Sequence, residues 1–366
     1  MANVKTRDLI IDCQFGSTGK GLFAGYLAQQ HSPQAIAYAP SPNAGHTLLW
    51  NGEEYVHKML PSGITSTALR AIMLGPGSLI DLDRLHMELT QLHQRVPRMK
   101  DVELYVHKNA ACVYQRHREA EANGGTAPGS TRTGVGAAQM ERIKRNPDQC
   151  NLIYKADHPV LEHVRLVDTA DLHCLSFERL QIESCQGYGL SHYHGMYPYC
   201  TSRDVTTASI ISDCGLPWMR NLRVYGTYRT YPIRVANRPA DGENSGPTFP
   251  DSKEISFEEI NMKQEYTTVT KLPRRIFTWS NMQAMEANYQ NRVDSAFLNF
   301  AQYCTSFKEL LDIWHSLNES TNVTHIGFGP ELDDIYRVGA PSLEFDKIRN
   351  LWEKYRAAAA RYCGVD

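Results

Sequence analysis

The 366-residue chain has no apolar run long enough to cross a bilayer. Its first one, Leu9-Ile10-Ile11, is also too short for the core of a secretory signal, which implies a cytoplasmic protein, in the host cytoplasm if the source is viral. An excess of either charge is missing too. Thirty-eight Lys and Arg face 40 Asp and Glu, for a formal net charge of −2, so no global field draws the chain to nucleic acid or to a membrane. Neither is expected as a partner. The nine cysteines are scattered, odd in number and without a CxxC pair, which argues for reduced, packed thiols rather than a disulfide framework. Repeats, low-complexity tracts and interdomain linkers are absent as well. With 42% hydrophobic residues there is ample material for a core, and residues 1–366 read as one elaborated α/β domain.

What is present has a consistent order. Leu9-Ile10-Ile11 reads as a buried strand, Gly16 to Gly21 as a glycine-rich turn, and Leu22 to Gln30 as a helix with Leu22, Phe23, Tyr26 and Leu27 on one side. Strand, glycine loop and helix open an α/β nucleotide-binding sheet. The theme returns in Ala71–Leu74, a Gly75-Pro76-Gly77 break and a helix from Leu82 to Leu92. Val102–Val106 and Leu180–Glu183 read as further strands. Polar, glycine-rich stretches at 123–136 and 237–251 read as loops, and 343–362 as a closing helix.

Three loops carry chemistry. Gln14-Phe15-Gly16-Ser17-Thr18-Gly19-Lys20-Gly21 can turn backbone N–H groups and the Lys20 ammonium onto phosphate oxygens at a helix start, although its spacing is too short for a Walker A loop. Asn43-Ala44-Gly45-His46-Thr47 places a histidine where a proton could pass to a phosphate or a leaving oxygen. Gly129-Ser130-Thr131-Arg132-Thr133-Gly134-Val135-Gly136, with Arg142, Lys144 and Arg145 after it, offers hydroxyls and guanidinium groups suited to a monophosphate. Gln186-Gly187, the run Tyr197 to Ser202, and Thr270 with Arg274-Arg275 add amides, hydroxyls and a carboxylate clamp. Each alone is as well explained by a structural turn or a solvated surface.

Their joint order resembles adenylosuccinate synthetase, the enzyme that joins aspartate to inosine monophosphate. Gln14–Gly21 is similar to that family's Q-W-G-D-E-G-K-G loop and Asn43–Thr47 to its N-A-G-H-T. His57–Ile64 is similar to H-L-L-P-S-G-I, Gly129–Arg145 to the stretch opened by G-T-T-G-R-G-I-G, and Gln186–Thr207 to Q-G … Y-P-Y-V-T-S-S-N-T-T. The match spans about Ile10 to Gly329. It implies a large mixed, mostly parallel sheet flanked by helices, with a P-loop-type nucleotide-binding fold, and the following roles. Gly16, Thr18, Gly19, Lys20, Gly21 and Thr47 would hold the donor's phosphates. His46 would be the general acid, with Lys20 and Ser17 beside it in the catalytic group. The acceptor nucleotide would meet Ser17, Asn43, Ser130, Thr131, Gln186, Thr201, Val235 and Leu272, with Arg145 reaching its phosphate from the partner of a homodimer. Val269, Thr270 and Arg274 would receive L-aspartate, Arg275 being the competing arginine. The Gly45 carbonyl and Ser17 would ligate Mg²⁺.

Three departures point to a different substrate. Ser17 stands where the family has its catalytic aspartate, leaving room for a purine 2-amino group and removing the base that takes the N1 proton. Leu272 stands where an arginine would meet the ribose 2′-hydroxyl, which suits a deoxyribose. The guanine-reading T-K-L-D motif falls on Phe297–Gln302, where no aspartate is found, so the donor becomes ATP or dATP rather than GTP. Together they resemble the family's viral branch, the 2-aminoadenylosuccinate synthetases, and imply dGMP as acceptor. Ordinary adenylosuccinate synthesis from IMP and GTP, and a catalytically inactive nucleotide-binding regulator, are the competing readings.

Overall fold

The computed structural model describes residues 6–123, 128–237, 244–267, 271–339 and 345–362. A ten-stranded sheet runs through it in the order Ile335–Arg337, Val323–Gly327, Ser295–Asn299, Leu222–Arg229, Thr6–Asp12 (β1), Arg179–Gly187, Ala35–Tyr38, Ala71–Leu74, Glu103–His107 and Arg165–Val167. Every neighbouring pair is parallel except the edge strand Ile335–Arg337, which runs antiparallel to Val323–Gly327. The large, mixed, mostly parallel sheet expected from the sequence is the one observed.

Both faces are covered, which is why Leu9-Ile10-Ile11, Ala35–Tyr38 and Ala71–Leu74 are apolar on both sides. Alternate residues go to opposite cores. Leu9, Ile11, Ala35, Ala37, Ala71 and Met73 join one core with Ile210, Ala284, Leu310 and Trp314 from the helices on that face. Ile10, Ile36, Tyr38, Ile72 and Leu74 join the other, against Leu22, Phe23 and Leu27 and against Leu85 and Leu89. Full burial of such a side chain stabilises the fold by about 1.5–3 kcal/mol.

The first helix, Lys20–His31 (α1), departs from expectation. The spacing gave it one buried side, but Lys20, Gly21, Ala24, Gly25 and Ala28 are buried together with Leu22, Phe23 and Leu27. It is enclosed because the hairpin His46–Trp50/Glu53–His57 and the turn Gly63–Thr65 close over its outer side. The 123–136 stretch also departs from a continuous loop, since a helix, Val135–Lys144, begins inside it. The described part of the closing helix, Phe345–Tyr362, agrees with the sequence. Among the described residues no helix is long and apolar enough to cross a membrane.

Because the strands are parallel, their carboxyl ends share one edge. Asp12, Gly187, Arg229 and Asn299 all end strands there, and all four line one cavity. That edge is where open α/β sheets hold ligands.

Candidate active site

The cavity measures about 1250 Å³ and is walled by the glycine loop, the Asn43–Thr47 segment, Gly129–Thr131, Gln186 and the 197–202 run. Its floor is the turn after β1, and one buried carboxylate shapes that turn. Asp12 Oδ1 accepts from the Gln14 N–H at 3.0 Å and the Gly16 N–H at 3.3 Å. Its Oδ2 accepts from the Thr18 N–H at 3.3 Å and the Thr18 hydroxyl at 2.7 Å. Burial pushes the Asp12 pKa up, while Thr18 and the backbone donors oppose that shift. The sequence reading passed over Asp12; the available signal was a lone carboxylate closing an apolar strand just before the glycines.

The same network engages one of the residues expected at the donor's phosphates. Thr18 is completely buried, its hydroxyl held by Asp12 and by Thr227 at 2.6 Å, and it does not line the cavity. Its hydroxyl is committed to shaping the loop. Gly16, Ser17, Gly19, Lys20, Gly21 and Thr47 do line the cavity. Gly19 adopts φ +82°, a left-handed conformation that favours glycine, and caps α1. Gly21 is required by contact, because a Cβ there would lie 2.9 Å from the Thr47 carbonyl and 3.2 Å from His46 Cβ. The helix start and the histidine strand therefore touch backbone to backbone.

That contact brings Lys20 and His46 together. Lys20 Nζ lies 3.3 Å from His46 Nδ1, and His46 Nε2 lies 3.0 Å from the Tyr38 hydroxyl. Lys20 Nζ also lies 3.5 Å from Nε2, so the ammonium, which can only donate, faces both ring nitrogens. Burial first, then Lys20 and His57, holds the His46 pKa well below the usual imidazole value, so the ring is neutral. Burial also lowers the Lys20 pKa, against the opposing charge of Glu183.

Behind them the His57–Ile64 motif is pinned by two buried carboxylates. Glu88 accepts from the backbone N–H groups of Lys58, Met59 and Leu60 at 2.8, 2.9 and 3.1 Å. Glu183 accepts from those of Ser62 and Gly63 at 2.8 and 2.9 Å. Neither glutamate was singled out from the sequence, because each lies far along the chain from the segment it holds.

On the acceptor side Gln186 donates to Asn43 Oδ1 at 2.7 Å. Gln186 Oε1, the Thr201 hydroxyl and the Ser202 hydroxyl are buried without a partner among the described residues, all on residues lining the cavity. Buried polar atoms normally find partners, and three unmatched ones along one cavity indicate a polar ligand. Ser130, Thr131 and Val235 line the same region, Ser130 Oγ accepting from the Arg132 N–H at 3.1 Å. Arg145 does not line the cavity; it stands exposed at φ +54° at the end of Val135–Lys144.

Ser17, in a left-handed conformation, faces the cavity and accepts a hydrogen bond from Arg274 Nη1. Arg274 and the fully buried Arg229 share one carboxylate, Glu265. Arg229 Nη2 lies 2.7 Å from its Oε1 and Arg274 Nε lies 4.0 Å from its Oε2. Burial alone would raise the Glu265 pKa, but these two cations and the Tyr303 hydroxyl hold it below the usual carboxylate value. Two guanidinium groups on one carboxylate leave a net positive charge beside Ser17. Arg275 is committed elsewhere, to Glu254 at 2.6 Å, and does not line the cavity. Leu272 forms part of the wall; Val269 and Thr270 lie outside the described residues.

As for a metal, no group of three or more His, Cys, Asp or Glu able to hold an ion is found among the described residues. Ser17 and Gly45 line the cavity, while both oxygens of Asp12 are already engaged by the loop. Neutral oxygens of this kind fit Mg²⁺, which is commonly held largely by substrate phosphates and water.

A family model described as Adenylosuccinate synthetase matches residues 9–167 and 163–313. The chain is 54% identical over 360 residues to N6-succino-2-amino-2'-deoxyadenylate synthase of Cyanophage S-2L, covering 96% of this chain and 97% of that one. It is 31% identical to the adenylosuccinate synthetase of Pyrococcus horikoshii, over 79% of this chain and 80% of that one. A solved structure of the Cyanophage S-2L succinoaminodeoxyadenylate synthetase, bound to dGMP and dATP as an energy donor, superposes with a TM-score of 0.91 at 53% identity. It covers 96% of this chain and 100% of that one.

Proposed function

The chain belongs to the adenylosuccinate synthetase family, and from that premise we propose that it ligates L-aspartate to C6 of dGMP with ATP or dATP. The product is the 2-amino-2′-deoxy analogue of adenylosuccinate. The observation that carries this reading is position 17. In a cavity otherwise built as the family's loops imply, a small neutral hydroxyl held by Arg274 occupies the place of the carboxylate. A serine at that place leaves a guanine 2-amino group more room than an aspartate would. Leu272 in the wall makes no demand for a 2′-hydroxyl.

The reaction has two steps. The donor's γ-phosphoryl group passes to guanine O6, releasing the donor diphosphate, while the N1 proton leaves to water or to phosphate; the amino group of aspartate then attacks C6, loses a proton and expels phosphate. Catalysis of such transfers is mainly positioning and charge compensation. The N–H groups at the start of α1 and the Lys20 ammonium face the donor phosphates, with Gly16, Gly19, Gly21 and Thr47 around them. His46, neutral in the free protein, is protonated more readily once an anionic phosphoryl group draws Lys20 away, and only then has the proton a general acid needs. Asn43, Gln186, Thr201, Ser130, Thr131 and Val235 hold the acceptor. Arg145 completes its phosphate site from the second subunit of a homodimer. Arg274, released from Ser17, receives the aspartate carboxylate, supported by Val269 and Thr270. Members of this family are generally magnesium-dependent. Here Mg²⁺ would be held by the Gly45 carbonyl and Ser17 hydroxyl and would offset phosphate charge.

Phosphate release tests the proposal. It should require dGMP, L-aspartate and ATP or dATP together, and omission of aspartate should abolish it. Diphosphate formation without aspartate, with the phosphoryl group kept on the acceptor, would indicate a simple kinase, and metal-dependent nucleotide binding without any release would indicate a regulator.

A further inference from the structure

We propose that Tyr38 is a positioning residue for the reaction, its hydroxyl fixing the His46 ring through Nε2 and leaving Nδ1 for the transferring phosphoryl group. This rests on the reading of His46 as the general acid. Tyr38 ends the strand Ala35–Tyr38 at the carboxyl edge of the sheet, is fully buried and does not line the cavity. It therefore touches no nucleotide, and it reaches the chemistry only through His46, which does line the cavity.

The torsion that turns a histidine ring has broad wells, so the orientation of the ring has to come from its partners. Two groups reach the His46 nitrogens. Lys20 Nζ lies 3.3 Å from Nδ1 and 3.5 Å from Nε2. The lone-pair directions of the two nitrogens diverge, so a group almost equidistant from both is in line with neither, and hydrogen bonds weaken steeply off line. Tyr38 differs. Its hydroxyl approaches Nε2 at 3.0 Å, and its ring stands at 70° to the imidazole with centroids 5.9 Å apart. Tyr38 is itself held. Its ring belongs to the core that contains Leu22, Phe23 and Ile36, and its hydroxyl lies 3.4 Å from the Lys58 carbonyl and 3.7 Å from Cys185 Sγ. Lys58 opens the segment that Glu88 pins.

A hydroxyl suits this task better than an ammonium. It both donates and accepts, so its bond to Nε2 survives transfer of the ring's proton, whereas Lys20 can only donate. Burial first, then Cys185, keeps the Tyr38 pKa far above the usual phenol value, so the proton stays on the oxygen. Once phosphate draws Lys20 away, Tyr38 is the fixed partner left to the ring. The hydrogen bond that one imidazole nitrogen makes decides what the other can do.

The test measures kcat and the KM values for dGMP, L-aspartate and ATP in wild type, Tyr38→Phe, His46→Ala and the double variant. Phenylalanine keeps the ring in the core and removes only the hydroxyl. Tyr228→Phe is the control, because Tyr228 is an equally buried tyrosine of the same sheet whose hydroxyl bonds to Asn288 away from the cavity wall. Tyr38→Phe should lower kcat about tenfold and leave each KM within about twofold. In the His46→Ala background the same change should alter kcat by less than about twofold, because residues that act as one unit are not additive. Full kcat in Tyr38→Phe, an equal fold-loss in both backgrounds, or an equal loss in Tyr228→Phe would overturn the assignment. A large loss in His46→Ala with none in Tyr38→Phe removes this inference alone; an unaltered rate in His46→Ala removes the general acid and this inference with it. Nitrogen NMR of histidine-labelled free protein reads the bond without turnover. The Nε2 resonance of His46, identified by its absence in His46→Ala, should move in Tyr38→Phe and stay in place in Tyr228→Phe. If wild type makes no product from dGMP, the proposed reaction fails and that resonance still decides for or against Tyr38.

Discussion

Replacing Gly21 with alanine should disable the enzyme more than it destabilises it. The added methyl would lie 2.9 Å from the Thr47 carbonyl oxygen, 3.1 Å from Ser62 Oγ and 3.2 Å from His46 Cβ, and the first is a backbone atom that cannot rotate aside. Overpacking of this kind costs about 1–3 kcal/mol, and alanine returns up to about 1 kcal/mol through its better helix propensity. The net loss is about 0–3 kcal/mol, a fall in Tm of several degrees at most for a chain of this size. Relief comes by moving the His46–Trp50 strand away from α1, which separates His46 from Lys20. A misplacement of about 1 Å can cost about a hundredfold in rate, so a few tenths should lower kcat by about tenfold. Gly25→Ala is the matched control, because its Cβ would meet mainly a Leu48 methyl carbon at 2.6 Å, on a side chain that can turn away. The assay is steady-state phosphate release alongside thermal melts. Full kcat in Gly21→Ala despite a lowered Tm, or an equal kcat loss in Gly25→Ala, would refute the argument.

Other perturbations separate the remaining roles. His46→Ala should keep nucleotide binding by calorimetry and lose at least about a hundredfold in turnover, as expected of a general acid; an unaltered rate removes that role. Ser17→Asp should lower dGMP use relative to dIMP, measured as a kcat/KM ratio, and an unchanged preference would show that space at position 17 does not select the base. Leu272→Arg should favour GMP over dGMP, and an unmoved ratio would discount the wall residue as a sugar selector. Stability should fall with acid. Burial and the Arg337 charge push His325 down to about 3, from the unperturbed imidazole value near 6.5. Between those values the unfolded chain binds the proton and the folded chain does not, so stability is lost as pH falls through that window. His46 and His57 act in the same direction. Tm should drop from pH 7.5 to pH 5, and His325→Phe should reduce that drop; an identical pH slope would place the effect elsewhere.

The parts of the fold readable in advance were those with strong local patterns. Leu9-Ile10-Ile11 followed by glycines, Ala71–Leu74 followed by Gly-Pro-Gly, and the closing helix each carried their own signal. The central strand Leu222–Arg229 carried little, because it contains Arg223, Gly226 and Arg229 and is defined by neighbours on both sides. The enclosure of α1 was likewise set by a hairpin that folds over it from a distance. In the site, the glycine loop, His46, Gln186 and Arg274 were legible as motif residues, and the structure gathers them around one cavity. Asp12, Glu88 and Glu183 were not, since each acts by holding backbone N–H groups, a role without a side-chain signature in sequence. That Arg274 and not Arg275 lines the cavity also needed the fold, because the strand that starts at Arg275 turns adjacent side chains to different partners.

The most direct test supplies dGMP and IMP together in equal amounts, with ATP, Mg²⁺ and ¹⁵N-labelled L-aspartate, and identifies the labelled product by mass. The account predicts the aspartyl adduct of dGMP as the main product. A labelled adduct formed mainly on IMP, or no adduct on either nucleotide, would contradict it.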